Sequence, residues 1–222
     1  MTKKMKAVQL FKFGGPEVLR YMDAPRPEIK AGEVLVHVNA TSLNPPDLYL
    51  RDGYRTLPPQ WRPAPDFPLI PGTDISGVVV ETGENVVGVN VGHEVYAMVR
   101  FPQDVMKGSG AWADYVCVPA SELALKPQNI NHVEAAGAPM SLLTAWQFLI
   151  ETGHDKDNPF QSFPHSPVTL KGKTVVVNGA AGGVGHLAVQ IARLQGARVI
   201  AVASGKHAAF LQELGADEFI DY

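Results

Sequence analysis

The sequence predicts a two-part α/β protein, with an antiparallel β-barrel module in front and a parallel, doubly wound sheet behind. Three observations predict it. Short β-like runs follow one another through residue 126 without a long helix between them. After residue 128, strand-like and helix-like segments alternate. At residues 177–197, VNGAAGGVGHLAVQIARLQGA, a glycine-rich turn joins a valine run to a segment with helical apolar spacing.

In the front part the β-like runs are Lys6–Phe11, Glu33–Ala40, Gly77–Thr82, Glu94–Val99, Ala113–Val118 and Leu123–Lys126. Val34, Val36 and Val38 alternate with Leu35, His37 and Asn39, the pattern of a half-buried strand. Asn44 to Pro71 carries eight of the eighteen prolines. Proline removes a backbone donor and fixes φ, so this stretch is expected to be a long loop, neither helix nor central strand. Within it Asp47 and Arg51 are expected to pair. Strands in quick succession call for an antiparallel barrel.

In the back part Asn131 is a candidate N-cap, with Glu134 placed for a capping box. Met140–Ile150 reads as a helix with Leu142, Ala145, Trp146 and Leu149 on one face, and polar, proline-rich His154–Pro167 as a surface excursion. Thr174–Asn178 is a buried strand. Val184–Leu194 is a helix with Val184, Leu187, Ala188 and Ile191 inward. Arg198–Ala203 is a second strand, Lys206–Leu214 a helix, and Glu218–Ile220 opens a third strand. This β-α-β-α-β order specifies a parallel sheet. The domains are therefore set at 1–127 and 128–222.

Composition narrows the function. The chain is 45% apolar and 18% charged with a net charge of −3, which gives no electrostatic reason for nucleic-acid binding. No window approaches the roughly 20 apolar residues of a membrane span. One cysteine, Cys117, excludes an intrachain disulfide framework and a multi-cysteine zinc lobe. With no signal peptide in MTKKMKAVQLFKFGG, a reducing, cytoplasmic compartment is expected.

A glycine turn between a buried strand and a helix is where a dinucleotide pyrophosphate sits, on the positive end of the helix dipole. Here Gly179, Gly182, Gly183, Val184 and Gly185 form that turn, spaced Gly-x-x-Gly-x-x-Gly. An acid closing the second strand would bond the ribose 2′-hydroxyl and select NAD. VIAVASGKH instead offers Ser204, Lys206 and His207, which suit a 2′-phosphate and so NADPH.

Several segments carry a family resemblance: MKAVQLFKFGGPEVL, LVHVNATSLNPPDLYLRDGY, FPLIPGTDISGVVVETG, GAWADYVCVP, AAGAPMSLLTAWQFL, and GAAGGVGHLAVQIA through LGADEFIDY. In these the chain resembles the zinc-independent, ζ-crystallin-like quinone oxidoreductases of the medium-chain dehydrogenase/reductase superfamily. The long loop between Tyr54 and Phe67 is similar to the reticulon-interacting mitochondrial branch. The resemblance implies a GroES-like barrel, then a Rossmann domain, and NADPH donating hydride to a quinone or activated enone. It also implies roles for single residues. Asn44 would face the nicotinamide end and Tyr54 would border the substrate as oxyanion partner or proton donor. Thr144 would bond the cofactor near its carboxamide or ribose. Ser204, Lys206, His207 and Tyr222 would surround the adenosine phosphate. A homodimer is expected of the full-length form.

Zinc-dependent relatives hold the metal with a Cys and a His-Glu pair, and a catalytic zinc needs three protein ligands. Asn44 stands where the Cys would, and Thr73-Asp74 where the His-Glu would, so no metal is expected. Gly92-His93-Glu94 spells a decoy in a turn before a strand. Two alternatives stay open: a 2-enoyl thioester reductase on the same scaffold, and a catalytically silent NADPH- or partner-binding relative. A doubly wound dinucleotide fold has roughly six strands and about three are present. The chain thus reads as the N-terminal two thirds of a family-length protein. Its 222 residues alone would be a poor catalyst, with a sheet edge at Val175 for another chain to cover.

Overall fold

The computed structural model describes residues 3–100, 105–150 and 169–222, so the expected excursion at 154–167 lies outside the described residues. The chain forms two compact units, Met1–Met140 and Ser141–Tyr222.

The first unit opens with an antiparallel ribbon of β1 (Lys4–Gln9) and β2 (Arg20–Pro25). β2 has no counterpart among the expected strands, because only Ala24 of its six residues is buried and no alternation shows. Next come β3 (Glu33–Thr41), α1 (Pro45–Asp52), β4 (Asp74–Thr82), β5 (Glu94–Met98), β6 (Tyr115–Pro119) and β7 (Leu123–Leu125). The five strands make one antiparallel sheet in the order β6-β3-β4-β5-β7. Interior β3 departs from simple alternation. Val34, Leu35 and Val36 are all buried, and its pairing with β4 shifts between Leu35 and Val36. A bulge of that kind turns consecutive side chains inward and curls the sheet. The curled sheet wraps a core of Leu10, Leu50, Leu69, Ile75, Val79 and Val95. Each such side chain contributes about 1.5–3 kcal/mol when removed from water.

The proline-rich stretch is not all loop. α1 lies inside it because Pro45 and Pro46 occupy the first helical turn, where no N–H is needed and φ is already helical. Gly53, at φ 79°, ends it in the left-handed region that favours glycine. The expected Asp47–Arg51 pair does not form. Arg51 Nε donates to Gly14 O at 3.3 Å, whereas the Asp47 carboxylate accepts from backbone N–H groups.

α2 (His132–Ala136) carries the expected capping box: Glu134 N donates to Asn131 Oδ1 at 2.9 Å and Asn131 N to Glu134 Oε2 at 2.8 Å. His132 Nδ1 lies 2.7 Å from Ser76 Oγ of β4, and Lys126 Nζ 3.1 Å from Glu94 of β5. These contacts tie residues 126–136 to the sheet. α3 (Pro139–Leu149) follows.

In the second unit β8 (Thr174–Asn178), α4 (Gly183–Leu194), β9 (Arg198–Ala203), α5 (Ala208–Glu213) and β10 (Glu218–Asp221) build a parallel sheet in the order β10-β9-β8. Two crossovers, through α4 and α5, therefore return each strand parallel beside its predecessor, as in a Rossmann sheet. The buried face of α4 is Ala188, Val189, Ile191 and Ala192; Val184, expected inside, is 38% exposed. Val184 sits in the first turn of the helix. Lys206 and His207 belong to a 3₁₀ turn before α5. Among the described residues no helix is long and apolar enough to cross a membrane.

Candidate cofactor-binding and active site

Two sets of residues carry the candidate chemistry, one in each unit. In the second unit, β8 ends at Asn178 and Gly179 reverses the chain at φ 72°. The N–H groups of Gly179 and Ala180 both donate to Val202 O at 3.0 Å, which straps the turn to β9. Gly182 N donates to Gly179 O at 2.9 Å, and Gly182 is the N-cap of α4. Having no side chain, Gly182 leaves the first-turn N–H groups, those of Gly183, Val184 and Gly185, without a side-chain cap. Gly185 is held by close approach: a methyl there would stand 2.2 Å from Gly179 O and 2.8 Å from Ala180 Cα. Uncapped donors at the positive end of a twelve-residue helix fit a pyrophosphate.

At the end of β9, Ser204 begins the 3₁₀ turn, with Lys206 exposed and His207 half-buried. Tyr222, just after β10, is 81% exposed. The sequence reading missed Asp221. Parallel register sets it opposite Ala203, and its Oδ1 accepts from Gly205 N at 2.8 Å. An acid therefore does stand beside the end of the second strand, supplied by the third strand and engaged with backbone. Thr144 lies on α3, half-buried, beside the fully buried Ala145.

In the first unit, Asn44 caps α1 and is buried. Its Nδ2 faces three acceptors, Ser42 Oγ at 2.9 Å, Thr73 Oγ1 at 3.0 Å and Asp74 Oδ2 at 3.0 Å. Asp74 also accepts from Ser42 Oγ at 2.8 Å and, through Oδ1, from Met140 N at 3.0 Å. Asp47 accepts from Asn44 N at 2.7 Å and Gly72 N at 3.1 Å, so it staples the start of α1 to the Pro71–Asp74 turn. Burial pushes the Asp47 carboxyl up to about 6 despite those two N–H bonds, and the charge of Asp74 adds to the rise. Burial likewise raises Asp74, opposed by its bonds from Asn44 and Ser42. Tyr54, at φ 52°, packs its ring against the barrel core. Burial, with Asp47 and Asp52 nearby, pushes its hydroxyl up to about 12, so it stays protonated and able to donate. His93 closes a turn, its Nδ1 accepting from Asn90 N at 3.2 Å. Among the described residues no group of three or more His, Cys, Asp or Glu side chains is placed to hold a metal ion.

The barrel-bearing residues 30–128 match the alcohol dehydrogenase GroES-like domain, and residues 183–222 match the family described as zinc-binding dehydrogenase. The chain is 35% identical to mouse mitochondrial NAD(P)H oxidoreductase RTN4IP1, an alignment covering 98% of this chain and 54% of that protein. It is 37% identical to the chloroplastic NADPH-dependent alkenal/one oxidoreductase of Arabidopsis thaliana, covering 100% and 53%. Its fold is similar to that of the quinone oxidoreductase from Coxiella burnetii, with a TM-score of 0.75 at 33% identity, covering 99% and 63%. The chain belongs to the medium-chain dehydrogenase/reductase superfamily. It spans about half the length of the curated relatives it matches.

Proposed function

We propose that the protein is an NADPH-dependent oxidoreductase that reduces a quinone or an activated enone without a metal. The observation that carries this reading is the glycine turn, with uncapped N–H groups at the head of α4 and Gly185 packed against Gly179. Gly179, Gly182, Gly183, Val184 and Gly185 would hold the pyrophosphate. Ser204, Lys206, His207 and Tyr222 would hold the adenosine phosphate, and Thr144 and Asn44 the nicotinamide end. Bound NADPH would supply the hydride. Tyr54 would donate a hydrogen bond to the acceptor's developing oxyanion; with its acidity lowered so far, solvent is the better source of the proton.

The amide of Asn44 supports a metal-free reading. Its nitrogen donates towards Thr73 and Asp74, the positions of the metal-binding pair in zinc-dependent relatives, and a donating amide nitrogen offers no lone pair to zinc. In this proposal residues 1–127 are the GroES-like domain and 128–222 the start of the Rossmann domain, with 128–140 packed on the former. A cytoplasmic location and a homodimer belong to the same proposal. The relatives' names favour quinones and enones over an enoyl thioester.

Titration of the purified protein with NADPH and NADH tests the cofactor assignment. A charge-assisted phosphate contact of roughly 1.5–3 kcal/mol corresponds to about 10- to 100-fold tighter binding of NADPH. Equal affinities would remove the assignment of Ser204 and Lys206. A panel of quinones, enones and enoyl thioesters then selects the acceptor class.

A further inference from the structure

We propose that Asp47 is a proton-operated latch: holding a proton, it keeps the first turn of α1 seated on the Pro71–Asp74 turn, and without it an uncompensated buried charge lets that first turn lift. The latch lies wholly within the first unit and does not depend on the cofactor reading.

Asp47 is 1% exposed, and its one carboxyl joins two separate pieces of backbone. Oδ2 accepts from Asn44 N at 2.7 Å and Oδ1 from Gly72 N at 3.1 Å. A buried carboxylate ordinarily has a cation beside it. Asp47 has no ion-pair partner among the described residues, and the charge that bears on it is of its own sign, that of fully buried Asp74 at the start of β4. Arg51, on the same helix, turns its Nε to Gly14 O at 3.3 Å; Asp52 adds another acid to that helix, and Tyr54 beyond it stays neutral. Asp74 is the better supplied of the two buried acids, with Ser42 Oγ at 2.8 Å and Asn44 Nδ2 and Met140 N at 3.0 Å. Two carboxyls in one buried site resist ionising together, and the one with fewer donors takes the proton first. Burial, with the Asp74 charge, accordingly holds the Asp47 carboxyl near 6 against an ordinary 3.8.

The first turn of α1 is fastened by side chains. Pro45 and Pro46 carry no N–H, and Leu48 and Tyr49 are 39% and 48% exposed. The ties to the barrel are Asp47 on Gly72 N and the Asn44 amide on Thr73 and Asp74. The far end of the helix stays anchored by Leu50, fully buried in the barrel core. Lifting hydrates Asp47 and returns its carboxyl to 3.8, whereas seated it ionises near 6. The seated form is therefore favoured most below 3.8, opening grows as pH climbs to 6, and it levels off above. Asn44 moves with the turn.

Amide hydrogen exchange of the purified protein without cofactor tests the latch, each rate being corrected for the intrinsic effect of pH. The reporters are the N–H groups that Asp47 holds, Asn44 and Gly72, and the reference is Val79 N, bonded to His93 O in the core sheet. Asn44 and Gly72 are expected to exchange faster than Val79 at every pH. Their opening should grow about 25-fold between pH 4.5 and 7, the factor that follows from ionisation at 3.8 when lifted and near 6 when seated. Asp47→Asn has no proton to lose and should abolish that rise. Exchange of Asn44 and Gly72 no faster than that of Val79 would mean that the turn opens only with the whole unit, and it overturns the proposal. So does a wild-type opening that stays constant from pH 4.5 to 7, or a rise that persists in Asp47→Asn. Should Asp47→Asn not fold, the wild-type rates at the two pH values decide alone.

Discussion

Replacing Gly185 by Ala separates the packing role of the glycine turn from its binding role. The new methyl would sit 2.2 Å from Gly179 O and 2.8 Å from Ala180 Cα, both backbone atoms that cannot rotate aside. To reach an ordinary carbon–oxygen distance, α4 must retreat from the turn by a little over ~1 Å. Its inner face, Ala188, Val189, Ile191 and Ala192, is packed against the parallel sheet and must move with it. Overpacking of this kind costs about 1–3 kcal/mol. For a unit of this size that corresponds to a melting point lower by roughly 5–20 °C. Gly183→Ala is the matched control. There the methyl meets only Ser141 Oγ, at 3.4 Å, and alanine is the better helix former by up to about 1 kcal/mol. Its apo stability should be unchanged or slightly higher, while NADPH affinity falls about tenfold because the methyl stands before the first-turn N–H groups. Thermal melts of the apo protein paired with NADPH titrations measure both effects. A Gly185→Ala protein as stable as wild type would refute the packing argument. A Gly183→Ala protein that binds NADPH normally would show that these glycines hold no phosphate.

The Asp47 carboxyl ionises near 6 in the folded protein against an ordinary value of 3.8. Between those values the folded state holds more protons than the unfolded one, so stability falls as pH rises through the window and levels off above it. The full loss is on the order of 3 kcal/mol, of which about 2 kcal/mol falls between pH 4.5 and 7, and urea melts at those two pH values should show that part in wild type and not in Asp47→Asn. Ser204→Asp should weaken NADPH binding about 10- to 100-fold and spare NADH, since it sets a carboxylate against the 2′-phosphate. A variant with unchanged NADPH affinity would move the phosphate site elsewhere. Tyr54→Phe removes one hydrogen bond to the oxyanion and should lower kcat about 10- to 100-fold while leaving the Kd for NADPH alone; an unchanged kcat would make the ring a pocket wall.

Where local pattern and tertiary role agree, the sequence was enough. β8 and β9 fall at the expected residues because each is a β-branched apolar run closed by a turn, although β8 is not the buried strand expected: only Val177 of it is buried and Val176 is 60% exposed. The Asn131–Glu134 capping box was legible because both partners lie within one turn. Other features, β2 among them, were not. α1 was hidden by prolines, whose helix-breaking effect vanishes in the first turn. Asp221 was hidden by its sixteen-residue separation from Gly205, which only the parallel register closes. The carboxylates around Asn44 were also hidden. Asp47 sits at i+3 and looked like a surface partner for Arg51, whereas Asp74 arrives from β4 through a turn whose geometry no local spacing encodes.

The central claim is hydride transfer from NADPH without a metal, and one assay tests it most directly. The purified protein, treated exhaustively with chelator and then checked for residual zinc, is mixed with NADPH and a panel of quinones and enones, and loss of NADPH absorbance is followed. The account predicts oxidation with at least one acceptor, slow for these 222 residues alone but at the same rate before and after chelation, with NADH a markedly poorer donor. Activity that disappears on chelation and returns with stoichiometric zinc would contradict it.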